Sequence, residues 1–316
     1  MRAFLEESDS HDRFDRARRH TLPAPMTEDS RQHADRPETL SMSEEDWYDH
    51  PKWYDVLHAR GTAAEVTGIE VIAQRFAGWD PDDRYLHLLE PACGTARHLR
   101  VGARRGHHCW GIDLAEPMLE YGRERLREAG LKATLLNLDM TAFSASDLGL
   151  GHRRIDVAFC FINSVRHLPT DEAMVSHLRS VKRVLTREGV YALGMGLASY
   201  GSERESEDVW KGKRGQCAVT QMAQYLPPPN LIVGKRGSEI EAHRNERVIS
   251  QLAVTTPTRE VFVSHAFSLR TYDASEWQAV LKKAGLEVVG LVDEFGDDLD
   301  WDWRAGAPGY AVFLLR

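Results

Sequence analysis

The sequence predicts an α/β fold: a doubly wound, mostly parallel seven-stranded sheet whose last strand is antiparallel, with an antiparallel β insertion after the fifth strand. Three observations predict it. Short apolar runs alternate with amphipathic segments of helical period from Tyr85 to Leu197. The rhythm breaks between Ala198 and Arg270, where several runs have strand character, and it resumes with one helix and two strands ending at Leu315. At 316 residues, 42% hydrophobic and 28% charged, the chain is long enough to bury a sizeable core. Residues 1–42 mix both charge signs with Ser, His and Pro and have no sustained period, so they read as a flexible tail; residues 43–316 read as the folded domain, with the insertion at 198–269.

Composition narrows the function classes. A net charge of −8 disfavours nucleic-acid binding, which needs a basic face to displace phosphate counterions. No apolar run approaches the roughly 20 residues that span a bilayer. The first residues lack the apolar centre of a secretory signal, and their acids argue against a transit peptide, so a cytoplasmic protein is expected, as monomer or homodimer. Cys93, Cys109, Cys160 and Cys217 have neither C-x-x-C spacing nor a compact framework; four reduced thiols and no metal are expected.

From Ser43 two Trp-Tyr-Asp triplets, Trp47-Tyr48-Asp49 and Trp53-Tyr54-Asp55, form either a lid that stacks on a ligand or an amphipathic helix packed on the core. A helix follows over Thr62 to Phe76, with Val66, Ile69, Ile72, Ala73 and Phe76 on one stripe. The turn Trp79 to Asp83 leads into the first strand, with Leu86, Leu88 and Leu89. Pro91 to Ala96 is a small-residue turn before a helix, and the second strand, Cys109 to Ile112, ends on Asp113, 19 positions beyond Gly94. That is the layout of a nucleotide-binding β-α-β unit, in which a carboxylate on the second strand accepts from ribose hydroxyls. A pyrophosphate needs G-x-G-x-x-G, but Ala96 and Leu99 occupy the second and third glycine positions. A ligand with ribose and no phosphate fits better.

Glu90, Ala92, Cys93, Gly94 and Thr95 resemble the first motif of class I S-adenosylmethionine-dependent methyltransferases, which commonly has a further glycine where Ala96 stands. Asp113-Leu114-Ala115-Glu116-Pro117-Met118-Leu119 resembles the second motif. The resemblance covers about Trp53 to Leu197 and Arg270 to Leu315. It implies S-adenosylmethionine as cofactor, with Asp113 on both ribose hydroxyls, Met118 packed on the adenine and Leu114 among the cofactor-binding residues. It also implies that Asp139 accepts from the adenine amino group, with Met140 and Phe161 among the apolar neighbours, and that Tyr48 or Tyr54 closes over the cofactor. Standing alone, Asp113 is equally a helix N-cap and Asp139 a loop start.

The remaining elements continue the pattern. Ala115 to Ala129 is helical, Ala133 to Leu138 is the third strand and Ile155 to Phe161 the fourth. After it, Asn163 can orient an acceptor group and His167 can take a proton near neutral pH; a cap or a turn is the plainer role for that histidine. The Asp/Asn-Pro-Pro-aromatic motif of nucleic-acid and protein-glutamine amino methyltransferases is absent, which leaves a small-molecule acceptor with N or O as the target atom. Thr170 to Leu185 is a helix and Val190 to Leu197 the fifth strand. In the insertion, Cys217 to Leu226, Leu231 to Val233, Val248 to Val254 and Arg259 to Arg270 have strand character, and Trp210, Tyr225 and Arg270 are candidates for a substrate pocket or for ordinary packing. A helix over Ala274 to Ala284 and strands Leu286 to Val292 and Tyr310 to Leu315 complete the sheet; the acidic loop Asp293 to Trp303 lacks the ligand pattern of a calcium site. Two rivals remain open. One is a dinucleotide-dependent oxidoreductase. The other is a non-catalytic binding or assembly protein on the same fold, a reading prompted by Ala96 and the Arg97-His98 pair.

Overall fold

The computed structural model describes residues 42–44, 46–228, 244–306 and 309–316. The expected tail, apart from Met42, and the run Leu231 to Val233 lie outside the described residues. The main sheet has seven strands: β2 (His87–Pro91), β3 (His108–Asp113), β4 (Thr134–Asn137), β5 (Ile155–Cys160), β6 (Leu185–Leu197), β11 (Val288–Val292) and β12 (Gly309–Leu315). Their order is β11-β12-β6-β5-β2-β3-β4, and only β12 runs antiparallel to its neighbours. The chain starts at β2 in the centre, winds outward to β4, then returns to fill the other side. The reversal between β2 and β5 puts a crevice at the carboxyl ends of those strands, where open α/β sheets bind ligands.

Alternation on the strands explains the two-sided packing. In β5, Ala158 and Cys160 join one core cluster while Val157 and Phe159 join the other, so every residue of this strand is buried. Helices α2 (Thr62–Phe76), α3 (Arg97–Arg104) and α4 (Glu116–Glu128) cover one face through Ile69, Ile72, Leu99 and Leu119. Helices α5 (Asp171–Val184) and α6 (Ala274–Ala284) cover the other through Leu178, Val181, Trp277 and Val280. The Thr170 hydroxyl caps α5, and α6 opens with a reciprocal Asp273–Glu276 capping box and ends at Gly285, with φ 73°.

The insertion is an antiparallel meander of β7 (Ser206–Arg214), β8 (Cys217–Leu226), β9 (Asn245–Thr255) and β10 (Glu260–Arg270), extended by β1 (Met42–Glu44), which pairs parallel with β10. Two of these strands are additions to the sequence expectation: β7 reads SEDVWKGKR, without the apolar alternation of a half-buried strand, and β1 has only three residues. One face of the meander, with Val219, Leu252, Val254 and Val263, packs on Trp47 and on Val56 and Leu57 of helix α1 (Pro51–His58). Gly212 makes this approach possible, since a Cβ there would lie 2.3 Å from the Val56 carbonyl oxygen. The Trp-Tyr-Asp triplets are thus a 3-10 turn, Trp47–Asp49, followed by α1, both packed on the insertion.

Candidate active site

The turn after β2 is shaped by three left-handed residues in alternation: Ala92 (φ 55°), Gly94 (φ 51°) and Ala96 (φ 56°). Two of these positions carry a Cβ that this conformation penalises, and the second, Ala96, is the N-cap of α3. Asp113 faces the loop from the end of β3. Its Oδ2 accepts from Gly94 N at 2.7 Å and its Oδ1 from Ala115 N at 2.9 Å, so the carboxylate fixes both turns and keeps further lone pairs for a ligand. Burial pushes its pKa up, and the backbone N–H donors of Ala115 and Gly94 oppose that shift.

Behind the loop lies a buried ionic chain. Glu90 Oε1 is 2.6 Å from Nδ1 of His98, whose Nε2 is 2.9 Å from Glu65 Oε2; Glu65 also pairs with Arg97, which donates to Thr62 Oγ1 at 2.8 Å. Desolvation and the Arg97 charge act against a protonated His98, but Glu90 and the two carboxylate hydrogen bonds outweigh them and raise its pKa. The Arg97-His98 pair is therefore built into the scaffold of this loop. Among the described residues Glu90 Oε2 is buried without a hydrogen-bond partner, and Glu90 lines a cleft shared with Tyr54, Cys93, Phe161 and Ile162.

An orphaned carboxylate oxygen suits a cationic group, and Asp113 at the neighbouring strand end suits vicinal hydroxyls; S-adenosylmethionine carries an ammonium group and a ribose. The enclosed part of the cleft has about 20 Å³ of free space, far less than the roughly 300–1,000 Å³ of ligand pockets. Tyr54 is the cover: a Cβ on Gly94 would lie 3.8 Å from its ring. Tyr48 is 6.4 Å from Tyr54 between ring centroids, and burial raises the pKa of both phenols, that of Tyr54 to about 12. Admitting a ligand requires the segment with these rings to move.

Over residues 88–189 the chain matches a family model described as a methyltransferase domain, and its fold is that of the S-adenosylmethionine-dependent class. S-adenosylmethionine is its cofactor, the methyl donor of that class, and it supplies an electrophilic methyl group on a sulfonium. The methyltransferase is similar in structure to an S-adenosylmethionine-dependent methyltransferase from Clostridium acetobutylicum, at 14% identity and TM-score 0.60, over 85% of this chain and 98% of that one. It is similar also to the sugar N-methyltransferase KedS8 from a Streptoalloteichus species, at 17% identity and TM-score 0.56, over 90% and 99%. A third similar structure is CalS10, an amino pentose methyltransferase from Micromonospora echinaspora, at 20% identity and TM-score 0.54, over 88% and 99%. No curated protein sequence matches the chain.

The other sequence-predicted residues of the methyltransferase divide by place. Ala92, Cys93 and Phe161 line the cleft with Glu90; Leu114 is 67% exposed beyond Asp113, and Met118 is fully buried at the start of α4. Asp139 is exposed and its Oδ1 accepts from Thr141 N and Thr141 Oγ1, both at 2.7 Å, which closes the loop after β4; Met140 gives its carbonyl to His177. Asn163 follows Ile162, and both are left-handed, with φ 60° and 58°. The Asn163 side chain does not point free: its Oδ1 accepts from Gly196 N at 2.7 Å and pins the turn to β6. His167 ends the 3-10 turn Ser164–His167; its Nε2 is 3.3 Å from the Tyr48 hydroxyl, and its ring centroid is 5.2 Å from that of Phe267. His167 is exposed on one side; desolvation by these neighbouring rings, then the charge of Arg166, lowers its pKa below the ordinary histidine value.

In the insertion, Tyr225 packs with Ala223, Val248, Leu269 and Phe267, on the sheet face turned to His167, and Trp210 packs between this cluster and the one around Trp47. Arg270 stands apart from them. It is 2% exposed, donates to Asp171 Oδ1 at 3.1 Å and to the Pro169 carbonyl at 3.0 Å, and so braces the base of the insertion against the turn before α5. Sequence reasoning missed Asp55, His265 and Phe267. Period-2 alternation in β10 already put His265 and Phe267 on one face with Val263, but nothing local said that this face meets the turn that carries His167.

Proposed function

We propose that the protein methylates an amino or hydroxyl group of a small molecule, and that the acceptor enters between the insertion face and the turn Asn163–His167. The observation that carries this reading is the Tyr48–His167 contact at 3.3 Å, at the carboxyl edge of the sheet and under Phe267 of the insertion. With its pKa lowered, His167 is neutral at neutral pH and can take the proton that an acceptor amine or hydroxyl must lose. The Tyr48 hydroxyl, held protonated by burial, donates to Nε2 and orients the ring until the acceptor displaces it. Glu90 and Asp113 hold the cofactor, Tyr54 covers it, and Tyr225 and Trp210 shape the acceptor side. Catalysis comes from positioning and exclusion of water, with no covalent intermediate on the protein.

An amine is favoured over a hydroxyl, since the similar structures include a sugar N-methyltransferase and an amino pentose methyltransferase. The test is turnover with S-adenosylmethionine across matched amino and hydroxy sugars and sugar nucleotides, with the site of methylation located by NMR. Methylated amines, lost in His167→Ala, support the reading. Cofactor binding with no methylated product across the panel would favour a non-catalytic binding protein instead.

A further inference from the structure

Asp55 is fully buried at the middle of α1, one residue after the tyrosine that covers Gly94. Its carboxylate gathers four elements. Oδ1 accepts from Thr95 Oγ1 at 3.2 Å, in the cofactor loop, and from Arg100 of α3. Oδ2 accepts from the Tyr121 hydroxyl of α4 at 3.1 Å and from Arg214 Nη2 at 2.8 Å, at the end of β7. The same guanidinium donates to the Asp55 carbonyl at 3.1 Å and, through Nη1, to the Tyr121 hydroxyl at 3.2 Å. Beside this point the Gly212 backbone lies against Val56 and Leu57 without room for a side chain. Helix α1 is thus bound on one side to the loop that takes the cofactor and on the other to the first hairpin of the insertion.

The cleft under Tyr54 is too tight to admit a ligand unless α1 shifts. A shift of α1 carries Asp55, and with it Arg214 and β7. We propose that Asp55 and Arg214 are positioning residues that couple cofactor binding to the placement of the insertion sheet, so that the acceptor side is set only when the cofactor lies under Tyr54. The inference rests on S-adenosylmethionine binding beside Gly94 and does not depend on which acceptor is used. A charged pair joined by hydrogen bonds suits this task, because those bonds weaken steeply as their distance and angle change.

The test is hydrogen exchange over residues 206–226 of the full chain with and without S-adenosylmethionine, alongside calorimetry of its binding, for the wild type, Asp55→Asn and Arg214→Met. In the wild type, saturating cofactor slows exchange in this hairpin about tenfold. Arg214 is 39% exposed at its side chain, so Arg214→Met leaves the fold standing even where Asp55→Asn does not. That variant still binds the cofactor, but slowing in the hairpin falls below about twofold while slowing around Gly94 persists. Equal slowing in the wild type and Arg214→Met overturns the coupling, as does a wild type that binds cofactor without any slowing in the hairpin. Absence of binding by the wild type overturns the cofactor assignment itself.

Discussion

Nδ1 of His98 lies 2.6 Å from Oε1 of Glu90, while Oε2 of the same carboxylate is buried without a partner among the described residues, and Glu90 lines the cleft beneath Tyr54. One oxygen is thus fixed by the scaffold while the other keeps its lone pairs unused. The far side of the imidazole is held by Glu65, whose own carboxyl is pushed up by burial but brought down to about 2 by the His98 hydrogen bond and the Arg97 charge. The raised pKa of His98 means that it is bound as imidazolium more firmly in the folded than in the unfolded chain. Its stabilisation is therefore complete below the unfolded value of 6.5 and is lost as pH rises through the higher folded value. Replacing it by Gln costs about 3 kcal/mol at pH 6, the scale for breaking a buried ion pair. The gap in melting temperature between wild type and His98→Gln narrows steadily from pH 6 to pH 9. A gap independent of pH across that range would show that His98 is neutral in the fold.

Ala92 and Ala96 carry the loop after β2 through left-handed conformations at φ 55° and 56°. The Cβ costs roughly 1 kcal/mol in this region relative to glycine, less whatever glycine loses by its freer unfolded state. Ala92→Gly stabilises by up to about 1 kcal/mol in urea unfolding. Ala96→Gly gains less or nothing, because the Ala96 methyl is 0% exposed in the core and its contacts are lost. Equal gains at both sites would contradict this account of the loop.

How far the fold was legible follows from where its signals lie along the chain. Strands such as β5 and helices such as α2 declare themselves by local period, and the observed α2 and α6 coincide with the expected Thr62 to Phe76 and Ala274 to Ala284. The placement of Asp113 opposite Gly94 follows from strand-turn-helix-strand order alone, and the two are joined at 2.7 Å. Asp55 was unreadable because its role is made of Thr95, Arg100, Tyr121 and Arg214, up to 159 positions away, and no local pattern encodes such a meeting. The edge strand β7 was hidden for the opposite reason: exposed on most positions, it has no need of apolar alternation.

His167 provides a prediction in the catalytic step. With its pKa lowered by desolvation and by Arg166, kcat/KM rises with pH through a value below 6.5 and is level at neutral pH. His167→Ala removes that rise and lowers kcat by about 10²- to 10⁴-fold, the range for a lost general base. Tyr48→Phe keeps the acidic limb and lowers kcat less, since it removes only the orienting hydroxyl 3.3 Å from Nε2. A His167→Ala profile that retains the limb would assign the titration to another group.

Asn163 supplies a series in which geometry and chemistry separate. Its left-handed backbone, φ 60°, follows a left-handed Ile162, and its Oδ1 accepts from Gly196 N at 2.7 Å while its own N–H donates to the Gly194 carbonyl at 3.2 Å. The residue therefore ties the turn Asn163–His167 to β6 from both backbone and side chain. Asn163→Asp keeps the acceptor oxygen and tolerates the backbone, so it changes stability by less than about 1 kcal/mol. Asn163→Gly keeps the backbone but leaves the Gly196 N–H unpaired, at a cost of about 1–2 kcal/mol, and Asn163→Ala adds roughly 1 kcal/mol more for its left-handed Cβ. If Asn163 acts only through this brace, kcat follows the same order, Asp above Gly above Ala, and KM for S-adenosylmethionine stays constant. Loss of turnover in Asn163→Asp with unchanged stability would instead place the amide N–H₂ in contact with the acceptor.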